Sequence, residues 1–142
     1  MGTVKIIRVV IDTNVVVSAL LFGGTPGKLI QLWEKGVIRP FISKEIVEEY
    51  LRVFAYPKFK LSQKEIDFLL YGEILPYSDI VKIKSGKVIV SKDPSDDKFI
   101  RCARAARAAV VISGDDHLLE IKSCGNIKIL TPSEFLKAFM GS

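Results

Sequence analysis

Two apolar runs in this sequence each end in an aspartate, and this pattern constrains the fold more than any other feature. The first run, Ile6-Ile7-Arg8-Val9-Val10-Ile11, is apolar apart from Arg8 and leads directly into Asp12-Thr13-Asn14. The second covers residues 109–112 and leads into Ser113-Gly114-Asp115. Fully apolar strands are typical of parallel sheets that helices cover, and such sheets carry their chemistry beyond the carboxyl ends of the strands. The pattern therefore predicts that Asp12 and Asp115 lie at one edge of a buried sheet.

The length and the composition predict one compact domain over residues 1–142. With 142 residues, of which 49% are hydrophobic, the chain can bury most of the surface that its unfolded form exposes. Its apolar runs are far too short to span a bilayer, and no charged leader with a cleavage site opens the chain. We therefore expect a cytoplasmic protein without a membrane segment.

The cysteine, histidine and charge content narrows the chemistry. Cys102 and Cys124 are too few and too far apart for a disulfide framework or a zinc site, and His117 is the single histidine. Any metal would therefore be held by carboxylates. The formal net charge of +5 suits a polyanionic partner. A basic exterior around an acidic pocket is what a metal-dependent nuclease needs, because cations bind phosphate and carboxylates bind the metal.

Strand-like and helical segments alternate along the chain. Helical periodicity fills most of the intervals, with one helix expected to begin near Pro26 or Gly27 and another after Ser43. This alternation favours an α/β fold with a mainly parallel sheet covered by helices on both faces. Strands are predicted at 6–11, 37–42, 109–113 and 127–130, with a further strand at either 80–83 or 87–90.

An acidic segment at residues 93–97 predicts the start of a helix, because an acid in the N-cap position is followed by a proline. Asp96 falls on the apolar stripe of that helix, beside Phe99, and is predicted to point toward the core. Asp97 lies four residues before Arg101 and is predicted to form a solvated ion pair. Burying an acid is costly unless a cation or a site compensates for it, so Asp96 is the candidate functional residue.

The helix that follows Ser43 offers a second inward acid. Its apolar stripe includes Ile46 and Val53, and Glu49 borders that stripe. Glu48 lies four residues before an arginine and can pair with it on the surface. We therefore take Glu49 as the candidate on this helix.

Four carboxylates that lie together repel one another and raise one another's pKa values unless a divalent cation compensates for the charge. Oxygen ligands select Mg²⁺ or Mn²⁺, which can activate water and stabilise charge on a phosphoryl group. An alternative interpretation remains for Asp115 and Asn14, since both residue types also serve as helix caps or turn residues.

The chain resembles the PIN-domain family in its motifs and in their order. The resemblance is carried by Ile11-Asp12-Thr13-Asn14-Val15, by Ser43 and Glu49-Tyr50, by residues 93–99 and by Ser113-Gly114-Asp115. It covers nearly the whole chain. It implies a three-layer α/β/α sandwich with a mainly parallel central sheet. It also implies Mg²⁺- or Mn²⁺-dependent cleavage of single-stranded RNA, as in many toxin components of toxin-antitoxin pairs.

The resemblance also implies the roles of individual residues. The acidic cluster would comprise Asp12, Glu49, Asp96 and Asp115. In that cluster Asp12, Asp96 and Asp115 would hold the metal that orients a water, and Glu49 would assist with the metal or with proton handling. Asn14 and Ser113 would support the cluster through hydrogen bonds.

Relatives in this family often dimerise, and a partner peptide can occlude their site. The resemblance therefore adds an antitoxin protein and a second copy of the chain to single-stranded RNA as expected partners. Tyr56, Phe59 and Tyr71 are apolar residues that could belong either to such an interface or to the core. Of these two alternatives we favour the core.

Three other protein classes share part of this pattern. A haloacid-dehalogenase phosphatase also has an acid after its first strand, but it needs a second aspartate at the place of Asn14. A receiver-like signalling domain is expected to present a lysine near the end of a late strand, whereas Lys128 precedes Ile129-Leu130. A non-catalytic RNA-binding or regulatory module with the same fold remains open, although four intact acids favour an enzyme.

Overall fold

A computed structural model of the protein describes residues 5–83 and 97–141. In these ranges the strands are Ile7–Ile11 (β1), Ile38–Ile42 (β2), Asp79–Ile80 (β3), Val110–Ile112 (β4), Ser123–Cys124 (β5) and Ile127–Leu130 (β6). The α-helices are Thr13–Leu21 (α1), Gly24–Glu34 (α2), Lys44–Phe54 (α3), Gln63–Phe68 (α4), Asp97–Ala106 (α5), Asp116–Leu119 (α6) and Pro132–Met140 (α7). A π-helical segment, Leu69–Ile74, continues α4, and short 3-10 turns cover Pro57–Phe59 and Leu75–Tyr77.

The six strands form one sheet in the order β3-β2-β1-β4-β6-β5. Every neighbouring pair is parallel except β5 and β6, so the prediction of a mainly parallel sheet within an α/β/α fold is confirmed. In the centre, Ile11 of β1 lies opposite Ile112 of β4. The next residues along the two strands, Asp12 and Ser113, therefore leave the sheet side by side.

Helix α3 is joined to the carboxyl end of β1 by its buried face. Ile46, Tyr50 and Phe54 recur every four residues and are all buried, which gives α3 one apolar side toward the sheet. The Tyr50 hydroxyl donates a hydrogen bond to the carbonyl of Ile11 at 3.1 Å. Burial raises the pKa of Tyr50 well above its ordinary value, so the hydroxyl keeps its proton as a donor. This contact brings the residue before it, Glu49, to the edge of the sheet where β1 ends.

Two elements differ from the sequence prediction in their bounds. The third strand covers Asp79–Ile80, and residues 81–83 are not part of it; the alternative at 87–90 lies outside the described residues. Helix α2 begins at Gly24, before Pro26, because Gly23 adopts a φ of 75° that few residues tolerate and turns the chain early. Pro26 still lies in the first turn, where the hydrogen that proline lacks has no helical partner.

The expectation that Tyr56 and Tyr71 pack in the core is wrong, because both side chains are exposed, whereas Phe59 is partly buried against the core. Tyr56 follows the end of α3, and Tyr71 lies on the outer side of the π-helical segment. Within the described ranges, no single helix has the length and apolar content to cross a membrane. In the same ranges, α1 and α2 reach that length and apolar content when they are counted together, but the pair is bent by 92° at the break between them.

Candidate active site

Asp12 lies in the turn between β1 and α1, where it caps the helix. Its Oδ1 accepts the backbone N–H groups of Asn14 at 2.8 Å and Val15 at 3.3 Å, and its Oδ2 accepts the hydroxyl of Ser113. The residue is only 4% exposed. Burial raises the pKa of Asp12, the three hydrogen bonds oppose that rise, and the charge of Asp115 adds to it. A cation near this carboxylate would therefore favour its ionised form.

Ser113 connects the two aspartates that follow β1 and β4. It is fully buried, and its Oγ donates to Asp12 and accepts the backbone N–H of Asp115 at 2.9 Å. Asp115 in turn accepts the backbone N–H of His117 at 2.8 Å and caps α6. The capping interpretation of Asp115 is thus confirmed, and the same side chain also lines the cleft that Asp12 lines.

Glu49 is held at the cleft by two neighbours that the sequence analysis assigned no role there. The hydroxyl of Thr13 donates to Glu49 Oε2, and Lys98 Nζ lies 3.0 Å from Glu49 Oε1. Lys98 is buried, and its Nζ lies 5.2 Å from the centroid of the Phe99 ring. The one sequence signal for Lys98 was its place directly after the acidic segment at 93–97, on the helix expected to face the core.

Of the two adjacent acids Asp96 and Asp97, the structure describes Asp97, which is the first residue of α5. Asp97 is 1% exposed, so the prediction that it forms a solvated pair with Arg101 is wrong. Residues 97–100 are all buried, because α5 packs against α3 and against three strands and its first turn has no solvent side. Arg101 pairs instead with Glu45 at 3.2 Å. Asp96 lies outside the described residues, and its role stays a prediction.

A cleft of about 190 Å³ brings most of the candidate side chains together. It contains three of the four candidate acids and the exposed Asn14. Within residues 5–83 and 97–141, no group of three or more Asp, Glu, His or Cys side chains is arranged to hold a metal ion. The cleft is lined by Asp12, Thr13, Asn14, Glu49, Val53, Tyr56, Phe99 and Asp115.

The donor chemistry of the cleft fits a hard divalent cation at Asp12 and Asp115. Both side chains offer carboxylate oxygens, which Mg²⁺ and Mn²⁺ prefer, and the charge of Asp115 adds to the cost of ionising Asp12. Glu49 fits this role less well, because its carboxylate is already paired with the Lys98 ammonium at 3.0 Å.

Comparisons with known proteins show what this chain is similar to. A family model described as PIN domain matches residues 8–117, a range that extends from β1 into α6 and includes Asp12, Glu49 and Asp115. The uncharacterized protein MJ1680 of Methanocaldococcus jannaschii is 29% identical over an alignment of 150 positions, which covers 94% of this chain and 92% of that protein. The similarity to this relative thus extends over nearly the full length of both chains.

Proposed function

Since this chain belongs to the PIN domain family, whose members are generally nucleases, we propose that it hydrolyses phosphodiester bonds of single-stranded RNA with Mg²⁺ or Mn²⁺ as its cofactor. One observation supports the proposal most. A buried Asp12 and a cleft-lining Asp115 follow two adjacent parallel strands, and Ser113 ties them together. The net charge of +5 adds a general attraction for a polyanionic substrate.

Asp12 and Asp115 would hold the metal, joined by Asp96 from the segment outside the described residues. When bound there, Mg²⁺ or Mn²⁺ activates water and stabilises the charge that develops on the phosphoryl group. Ser113 fixes the orientation of the Asp12 carboxylate and the backbone of Asp115. The two carboxylates are thus held in place before a ligand arrives, which reduces the entropy lost on binding.

We assign Glu49 to proton handling rather than to metal binding. Thr13 and Lys98 each donate to one of its oxygens, so the carboxylate is held in a fixed orientation at the wall of the cleft. A carboxylate in that position can accept a proton from a water in the cleft, with Lys98 compensating for its charge between turnovers. Asn14, exposed at the same cleft, is placed to hydrogen-bond the substrate.

The experiment that tests the function is cleavage of a mixed-sequence single-stranded RNA by highly purified protein. We expect cutting in Mn²⁺ or Mg²⁺, and none in EDTA or with Asp12→Asn or Asp115→Asn. Asp116→Asn is the matched control, because Asp116 is the adjacent acid and is exposed on α6. If the wild type and all three variants cut alike, the activity is a contaminant and the proposal is wrong.

A second candidate is a non-catalytic RNA-binding module with the same fold. It is favoured by the Glu49–Lys98 ion pair, which neutralises one of the acids. RNA binding by the wild type without cleavage in either metal would support this candidate. A DNA oligonucleotide of the same sequence tests whether binding depends on the ribose 2′-hydroxyl.

The toxin role, the antitoxin partner, the dimer and the cytoplasmic location are finer parts of the proposal and stand on the family resemblance. Induced expression in a bacterial host tests the first of these. We expect the wild type to arrest growth and Asp12→Asn to permit it. Equal growth in both cultures would contradict a toxin that acts by cleaving cellular RNA.

A further inference from the structure

Beside the carboxylate cleft, the surface carries Phe22, Tyr56, Lys58 and Phe59, which we call the aromatic shelf. Phe22 is 71% exposed and Tyr56 is 44% exposed. Phe59 lies between them and is partly buried, with its ring centroid 6.0 Å from that of Phe22 and 6.4 Å from that of Tyr56. Exposed ring surface is costly in water, and its concentration next to a cleft indicates a ligand that covers it.

The aromatic shelf is continuous with the carboxylate cleft. Asn14, Val53 and Tyr56 line both that cleft and a second one, which has a volume of about 350 Å³ and is bordered by the shelf. Tyr56 follows the end of α3, the helix that carries Glu49. A chain-like ligand that occupies the carboxylate cleft therefore passes directly onto the shelf.

The geometry of the rings and the position of Lys58 determine what kind of ligand fits. The planes of Tyr56 and Phe59 differ by only 7°, so their faces have the same orientation. Lys58 Nζ lies 5.1 Å from the Phe59 centroid and 6.0 Å from the Tyr56 centroid. Proteins that bind single-stranded nucleic acid combine aromatic faces, on which bases stack, with nearby cations that bind phosphate.

Another apolar cleft fits this ligand less well. It is lined by Leu21, Leu61, Lys64, Glu65, Phe68 and Leu69. It shares none of these residues with the carboxylate cleft, and its one lysine is accompanied by a glutamate. The charge and the continuity therefore favour the aromatic shelf.

We propose that the aromatic shelf is a base-stacking subsite, which binds a nucleotide of single-stranded nucleic acid next to the bond that is cleaved. Tyr56 and Phe22 stack on bases, Phe59 supports both rings, and Lys58 binds a phosphate. This inference rests on the proposed nuclease function and adds to it the way in which the substrate is held. Because every base has a stacking face, the shelf selects single strands over duplexes rather than one sequence over another.

The test is the affinity of a fluorescently labelled, mixed-sequence RNA oligonucleotide, measured by anisotropy in EDTA so that the probe is not consumed. Tyr56→Ala is expected to weaken binding about 5- to 100-fold, the range that the loss of one stacked base gives. Tyr56→Phe keeps the ring and is expected to bind as the wild type does. Tyr71→Ala is the matched control, because Tyr71 is a 65% exposed tyrosine that lines neither cleft.

A second readout is cleavage of the same oligonucleotide in Mn²⁺, where Tyr56→Ala is expected to raise KM more than it lowers kcat. If the wild type cuts RNA and Tyr56→Ala matches it in affinity and in KM, something other than RNA, such as a protein partner, covers the shelf. That result overturns this inference alone. Equal losses in Tyr56→Ala and Tyr71→Ala overturn it as well. A wild type that neither binds nor cuts RNA overturns the proposed function, and the inference with it.

Discussion

Lys98 Nζ lies 3.0 Å from Glu49 Oε1, and this ion pair joins α5 to α3 beside the carboxylate cleft. The two side chains are only 6% and 24% exposed, respectively. An ammonium group withdrawn so far from water costs free energy unless an anion compensates for it. The pair therefore fixes the relative position of the two helices at the place where the candidate acids meet.

A double-mutant cycle is expected to give a substantial coupling energy for this pair. With Glu49→Gln, Lys98→Met and the double variant, urea unfolding should yield a coupling energy of about 0.5–3 kcal/mol, the range for contacting groups that share an interaction. The more exposed pair of Arg101 and Glu45 is the control, and its cycle should give about 0–1 kcal/mol. Equal coupling energies in the two cycles would show that burial adds nothing to the first pair.

Replacing Asp12 with asparagine is expected to change how stability depends on pH. Burial raises the pKa of Asp12 above its ordinary value of 3.8, so between the two pKa values the folded state keeps a proton that the unfolded chain has lost. The free energy of unfolding of the wild type therefore falls as pH rises through that window. Since asparagine does not ionise, the stability of Asp12→Asn relative to the wild type should increase over the same window.

Urea unfolding in EDTA at a series of pH values measures this difference. Asp79→Asn is the control of opposite sign, because the hydrogen bond from Arg39 lowers the pKa of Asp79. Its pairing with Arg39 contributes stability above the ordinary pKa, which is lost as pH falls through the lowered one. A pH-independent difference between Asp12→Asn and the wild type would contradict the assignment of a raised pKa to Asp12.

Removing the Ser113 hydroxyl is expected to affect both stability and activity. Ser113→Ala leaves a buried carboxylate oxygen and the backbone N–H of Asp115 without this partner, which should cost about 1–3 kcal/mol in urea unfolding. Ser62→Ala removes the cap of α4, far from the candidate acids in sequence, and should cost about 1 kcal/mol without loss of cleavage. If Ser113→Ala cuts RNA as fast as Ser62→Ala, the serine does not position the acids.

Addition of Mn²⁺ is expected to raise the Tm of the wild type in a concentration-dependent way, because a ligand that binds only the folded state stabilises it. Asp12→Asn and Asp115→Asn should lose most of this increase, whereas Asp116→Asn should retain it. Differential scanning fluorimetry with Ca²⁺ and with K⁺ as comparison salts separates the effect of specific binding on Tm from the effect of ionic strength. An equal increase in all four proteins would place the bound ion elsewhere on the surface.

Much of the fold could be predicted because its central strands are mostly apolar. Residues 6–11, apart from Arg8, and residues 109–112 are apolar runs that end in turn residues, and β1 and β4 fall within them. The proximity of Asp12 and Ser113 follows from that arrangement. A two-residue strand such as β5 has no periodic pattern, because alternation needs more positions than it has.

The contacts around Glu49 could not be predicted, because they depend on how α1, α3 and α5 pack against one another. Thr13 and Lys98 are separated from Glu49 by 36 and 49 residues, and neither residue type indicates its partner. The prediction that Asp97 forms a solvated ion pair was wrong because helical periodicity assumes that one side of a helix faces water. The first turn of α5 is buried on all sides, so four successive residues there are buried whatever their character.

Asp96 and Asp97 are expected to differ in what their loss changes. Asp97 is 1% exposed and does not line the carboxylate cleft, so Asp97→Asn should lower the free energy of unfolding while any folded enzyme still cuts RNA. Asp96→Asn, by the family resemblance, should abolish cleavage in Mn²⁺ and leave urea unfolding in EDTA nearly unchanged. Both readouts on both variants decide the assignment: loss of cleavage in well-folded Asp97→Asn, with retention in Asp96→Asn, would make Asp97 the third metal ligand.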